Sequence, residues 1–214
     1  MEDRLTIEEG TFLVKLARKA VKEYLSSAVR IDPPGDTPSR LRKPRGVFVT
    51  IETVFEDERG VVRKALRGCI GYPEPIMPLA RATIDAAIAA ATEDPRFTPM
   101  TEDELDRVLF EVSVLTKPVK LSYERPEDLL KLIKVGRDGL IVAAGPFKGL
   151  LLPQVPLEYD WDVEEYLSHA CIKAGLAPDH WRVSRIDIYT FQAQVFMEIA
   201  PNGEVIERLL TPIE

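Results

Sequence analysis

The chain has 214 residues, 45% of them apolar and 29% charged, the balance of a folded globular protein and not of a disordered one. No apolar run approaches the roughly 20 residues that span a bilayer, and the start MEDRLTIEEG is acidic where a secretion signal is basic, so a cytoplasmic location without a membrane partner is expected. A net charge of −7 argues against a dedicated nucleic-acid binder, because phosphate contacts need clustered cations.

In chain order, Thr6 and Glu9 form a capping box, and Leu13, Leu16, Ala17, Ala20, Val21, Tyr24 and Leu25 recur at helical spacing. Together they predict a helix ending near Ala28. The Pro-rich stretch Asp32 to Pro38 then breaks regular structure. Arg40, Arg42, Lys43 and Arg45 follow, but no aromatic side chain lies near them to stack on bases, so they read as a solvated loop. Gly46 to Val54 is rich in β-branched and aromatic residues and reads as a strand. Asp57 to Gly60 is its turn, and Val61 to Tyr72 the returning strand.

An Ala-rich helix runs from Leu79 to about Glu93, where Asp94-Pro95 stops it, since the residue before proline avoids the helical region. Thr101 and Glu104 form a second capping box. Strands are expected over Val108 to Thr116 and Val119 to Tyr123, with a helix over Pro126 to Lys134. Two glycine turns flank the apolar run Leu140 to Ala144, and neither has the spacing of a phosphate-binding loop. Asp162 and Glu165 cap a helix that Gly175 ends. Arg185 to Ile199 reads as one long strand, and Asn202-Gly203 as a hairpin turn returning through Val205 to Leu210. Strands joined by hairpins and interrupted by helices without a steady βαβ rhythm predict an α+β fold with mostly antiparallel sheets.

The segment Leu66-Arg67-Gly68-Cys69-Ile70-Gly71 carries the strongest chemical signal. Residues two apart on a strand share a face, which predicts Leu66, Gly68 and Ile70 on the core side and Arg67, Cys69 and Gly71 on the other. A guanidinium would then stand roughly 7 Å from a thiol, with glycines on either side letting a ligand or another backbone approach. A nearby cation favours thiolate, so Cys69 is a candidate nucleophile supported by Arg67. The plainer alternative is a small packed cysteine beside a structurally paired arginine.

This segment is also where the chain becomes recognisable. LRGCIG, the preceding GVFVTIE, DPRF at Asp94 to Phe97, VGRDGL at Val135 to Leu140, LLLPQV at Leu150 to Val155, KAGL at Lys173 to Leu176 and FQAQVF at Phe191 to Phe196 together resemble the AMMECR family. The resemblance implies two subdomains, each a mostly antiparallel sheet with flanking helices, and a cleft between them into which the LRGCIG side chains point. The larger, with both termini, would comprise residues 1–118 and 183–214, and the smaller residues 119–182. The family has no established reaction. Its association with Memo-like and radical-SAM proteins makes these possible partners, beside an unknown substrate or macromolecule in the cleft.

Several other residues have both a plain and a functional reading. Asp94 and Arg96 form either a salt-bridged corner or an anion-binding rim near Cys69. Glu111, within an apolar strand, is a candidate base or a partner for Arg67. Gln154 either orients a ligand or caps a turn. Cys171 falls on the apolar stripe of its helix and reads as core, His169 as solvated, and His180 as a conceivable base. Two histidines without paired spacing predict no metal site, and no cofactor motif is present.

Two cysteines suit a reducing compartment. One asparagine and three glutamines against 17 prolines point to a thermophile. Two functions remain open: an enzyme or enzyme-accessory subunit using Cys69 and Arg67, or a non-catalytic binding or scaffold protein.

Overall fold

The computed structural model of the chain describes residues 4–210. Its helices are α1 (Ile7–Ser27), α2 (Leu79–Thr92), α3 (Leu129–Leu132), α4 (Val155–Glu158), α5 (Val163–Lys173) and α6 (His180–Val183). Its strands are β1 (Gly46–Glu56), β2 (Val62–Tyr72), β3 (Val108–Leu115), β4 (Val119–Lys120), β5 (Gly139–Ala144), β6 (Phe147–Leu151), β7 (Asp187–Phe191), β8 (Ala193–Glu198) and β9 (Val205–Arg208). The fold class is α+β. One sheet has the order β2-β1-β3-β8-β9 and the other β4-β7-β5-β6. The described residues divide into two compact units, one running to Leu115 and resuming at Gln194–Arg208, the other spanning Thr116–Ala193 and the residues after Arg208.

In the first unit, α1 starts at the Thr6–Glu9 capping box and ends at Ala28, whose left-handed φ of 55° closes its last turn onto Tyr24. Its apolar stripe, with Leu13, Leu16, Ala17 and Val21, packs with α2 against Val47, Val49 and Ile51 of β1 and Phe110, Val112 and Val114 of β3. Full burial of side chains of this size contributes about 1.5–3 kcal/mol each. Alanine makes up half of α2, so the helix backbone comes close to the sheet, and Ala86, Ala87 and Ala90 are buried. The Arg18 guanidinium bonds Glu198 (Nε to Oε1, 2.7 Å) and the carbonyl of Leu105 (2.9 Å), joining α1 to β8 in the interior.

The second unit buries Leu129, Leu140, Val142, Tyr166, Leu167, Cys171 and Trp181 between its sheet and α5. Cys171 is fully buried on the helical stripe, as its spacing predicts. His169, by contrast, is not simply solvated: its ring stacks on Trp161 at 3.7 Å.

The expected strand Arg185 to Ile199 is two strands. It breaks at Gln192, whose N–H donates to Thr116 Oγ1 (2.8 Å) while its carbonyl accepts from Thr116 N (2.9 Å). Before the break β7 pairs with β5 and β4, and after it β8 pairs with β9. The residues before Gln194 therefore belong to the second unit, so the boundary at Val183 moves by about one strand. Residues 1–3 and 211–214, assigned by resemblance to the larger subdomain, lie outside the described residues.

Candidate functional site

The site grows out of the β1–β2 hairpin. From the Glu56–Val62 pair back to Glu52–Leu66 the register is regular, but Ile51 then pairs with Gly68, so Arg67 is an extra residue with no partner on β1. Such a bulge reverses the alternation of the strand beyond it. Without it Cys69 would stand opposite Val49, which faces the core. With it Cys69 stands opposite Thr50, and Thr50 stands opposite Glu111 on β3.

The expected faces therefore need correction. Gly68 and Ile70 do face α2 and the core, but Leu66 sits opposite Glu52 on the other side and is 40% exposed. The space beside the glycines is also filled by the protein itself. A Cβ on Gly68 would lie 2.0 Å from the carbonyl oxygen of Ala90 in α2, and one on Gly71 would lie 2.4 Å from the ring of Phe48. Neither glycine opens a path for a ligand; each admits a neighbour needed by the fold.

Because β2 is an edge strand, the Cys69 N–H has no strand to bond, and the Asp94 carboxylate takes it up (Oδ2, 2.9 Å). Asp94 follows directly on α2 and is buried, with Arg96 bonding both its oxygens (2.9 and 2.7 Å). That pair, its backbone bonds and the Arg96 charge hold the Asp94 carboxyl at a pKa of about 2. Phe97 is next, and the guanidiniums of Arg67 and Arg96 lie 5.9 and 5.5 Å from its ring centre. Arg67 closes the corner by bonding Glu104 through Nε and Nη2 (2.8 and 3.1 Å), which holds the Glu104 carboxyl below its usual range. Its remaining Nη1 is buried and has no hydrogen-bond partner among the described residues.

The thiol is in a different situation from the one its neighbours suggest. Thr50 Oγ1 donates to Cys69 Sγ at 3.3 Å. Burial pushes the thiol pKa up; the Thr50 hydroxyl and the Arg96 charge pull against it, while Glu111 and Asp94 add to it. The expectation that Arg67 depresses this pKa is corrected: Arg67 is spent on Glu104, and the cation that acts on the thiol is Arg96. Glu111 is also placed differently. It is buried and bonded by Arg208 of β9 (3.3 Å), not by Arg67.

Cys69, Thr50 and Glu111 thus form a row across three adjacent strands, and Asp94, Arg96, Phe97, Arg67 and Glu104 form a corner at its edge. Gln154 lies in the second unit, where its carbonyl opens α4 by accepting from Leu157 and Glu158. Both histidines, His169 and His180, belong to that unit too. Among the described residues no group of three or more His, Cys, Asp or Glu side chains could hold a metal ion, and no helix is long and apolar enough to cross a membrane. The basic loop spends its arginines on the protein: Arg40 on Glu9 (3.0 Å) and Arg42 on the carbonyls of Thr37 (3.1 Å) and Gly35 (2.8 Å).

Sequence reasoning missed Thr50, Phe97, Glu104 and Arg208. Phe97 and Glu104 had usable signals, the one inside DPRF and the other inside a capping box. Thr50 depended on the bulge and Arg208 on a long-range contact, and nothing local announces either.

Fold and site define a two-unit α+β protein in which an edge-strand cysteine of the first sheet is fastened to the end of a helix. The chain belongs to the AMMECR1 family, whose family model matches residues 14–196. It is 61% identical over 208 residues to a protein of Thermofilum pendens, spanning 97% of this chain and 98% of that one. It is 50% identical over 206 residues to a protein of Methanocaldococcus jannaschii, spanning 96% and 98%. A crystal structure of an uncharacterized protein from Pyrococcus horikoshii superposes with a TM-score of 0.88 at 49% identity, covering 95% of this chain and 98% of that chain.

Proposed function

We propose that this chain is a non-catalytic binding protein whose recognition surface is the corner formed by LRGCIG and DPRF. The observation that carries the reading is the state of Cys69: a half-buried thiol, hydrogen-bonded by Thr50, with its ionisation pushed up by desolvation. A nucleophile needs the opposite, a thiolate favoured near neutral pH by a base or a neighbouring cation. The nearby guanidiniums already serve carboxylates, which builds a stiff platform and not an activated centre. Exposed Leu66 and the half-exposed Arg96 side chain give that platform an apolar and a cationic contact. Aromatic and arginine side chains held in place are the usual anchors of protein interfaces.

The partner is a protein, and the Memo-like and radical-SAM proteins associated with the family are the ones to try first. Binding of purified candidates to the immobilised chain tests this. Wild type and Cys69→Ser should bind alike, while Leu66→Glu and Arg96→Ala weaken binding roughly tenfold or more. A covalent intermediate on Cys69, or turnover abolished by Cys69→Ser, would instead establish the enzyme reading. That second reading draws on the Cys69–Thr50–Glu111 row, but the Glu111 charge works against forming a thiolate.

A further inference from the structure

The second unit contains a pocket of about 370 Å³, within the roughly 300–1,000 Å³ of small-molecule sites. Leu130, Ile133, Val135 and Val163 give it apolar walls. Both sides are held firmly. On one, the buried Asp138 carboxylate of the VGRDGL segment accepts from Lys134 N (2.9 Å) and from Arg137 Nε (2.8 Å), fixing the turn that carries Lys134 and Val135. On the other, Trp161 N donates to the carbonyl of Pro156 (2.9 Å). Its indole is stacked with His169 at 3.7 Å and with Tyr159 at 4.9 Å. Walls that do not need to be ordered on binding lower its entropic cost.

Two opposite charges stand at the rim. The side chains of Lys134 and Asp160 are exposed, both line the pocket, and neither makes a hydrogen bond or ion pair with another described residue. Asp160 is also held at a φ of 54°, a left-handed conformation uncommon outside glycine and informative where it occurs beside a cavity. Asp162, the third charge of the lining, is used otherwise: it caps α5 by accepting from Glu165 N (2.8 Å). An apolar pocket edged by one free cation and one free carboxylate complements a zwitterion with an apolar body.

We propose that this pocket binds a free α-amino acid with a bulky apolar side chain, of the leucine or phenylalanine class. Lys134 pairs with the ligand carboxylate, Asp160 with its ammonium, and the side chain packs against the apolar walls. This site is independent of the Cys69 corner and uses the VGRDGL segment, which that corner leaves without a role.

The test follows the Trp161 indole N–H in nitrogen–proton correlation spectra during titration with L-leucine. The Trp181 indole, buried and bonded to Ser168 Oγ (3.3 Å), serves as the internal reference for an intact fold. L-Leucine should shift the Trp161 resonance saturably and leave Trp181 in place. Leucinamide, 4-methylpentanoate and glycine, lacking in turn the carboxylate, the ammonium and the side chain, should each bind roughly tenfold more weakly or worse. Asp160→Asn, which tolerates the same backbone conformation, and Lys134→Gln should weaken leucine to a similar degree. No shift with leucine up to its solubility would overturn the proposal. So would leucine binding unchanged in both variants, or leucinamide binding as well as leucine.

Discussion

Removing the Thr50 hydroxyl shows how the Cys69 thiol is held. That hydrogen bond favours the thiolate against a larger desolvation effect, so Thr50→Val should push the thiol pKa further up. Its alkylation rate at fixed pH should fall roughly twofold to tenfold, the range of one neutral hydrogen bond. Asp94 makes a second prediction. Its carboxyl sits at about 2 when folded, against about 3.9 in an unfolded chain. A depressed carboxylate stabilises the fold fully above its unfolded pKa, and this stabilisation is lost as pH falls from about 4 towards 2. The amount is on the order of 2 kcal/mol, and denaturant titrations of wild type and Asp94→Asn at a series of acid pH values should show a steeper slope in wild type, the remainder in the variant coming from other depressed carboxyls such as Glu104. The pairing of Asp94 with Arg96 was legible from DPRF, because two residues flanking a proline at a helix end meet easily. That Asp94 also holds Cys69 N–H was not, since it requires knowing that β2 is an edge.

At the scale of elements, α2 packs on β2 only because Gly68 has no side chain. With a Cβ placed 2.0 Å from the Ala90 carbonyl oxygen, Gly68→Ala must push helix and strand apart. It should cost about 1–3 kcal/mol or more, read as a lowered denaturation midpoint. The substitution Gly60→Asn, in an open turn at a φ of 73°, should change stability far less, since asparagine tolerates that conformation. Helix starts were readable because a cap is local: Thr6 with Glu9 and Asp162 with Glu165 lie three residues apart and close as expected. The bulge at Arg67 and the break at Gln192 were not. IDIYTFQAQVFMEI is uniformly strand-like, and what divides it is a bond to Thr116, 76 residues away. In the same way, only the pairing with β1 shows that Arg67 is one residue too many.

Across the whole molecule, the longest connections are those that sequence patterns reveal least. Arg18 and Glu198 meet over 180 residues in the interior, and Glu198 also accepts from Phe110 N (3.0 Å). Removing one partner leaves a buried charge, so Glu198→Ala should destabilise by about 3–5 kcal/mol, measured by urea unfolding. The family, the α+β class and the core faces of α1 and α5 were legible because composition, periodicity and motif order act along the chain. The roles within LRGCIG were not, because a bulge, an edge and a distant carboxylate decide which neighbours Cys69 has. On the proposed function this cysteine is a packed member of a binding corner. The most direct measurement is the rate of Cys69 alkylation by iodoacetamide in the folded protein across a pH series, resolved by peptide mass spectrometry with Cys171 as the buried control. Slower reaction than a free thiol is predicted at neutral pH, with the rate still climbing, and not levelling off, beyond the free-thiol pKa of about 8.5. Rapid alkylation at pH 7 that levels off below the free-thiol pKa of about 8.5 would contradict this reading.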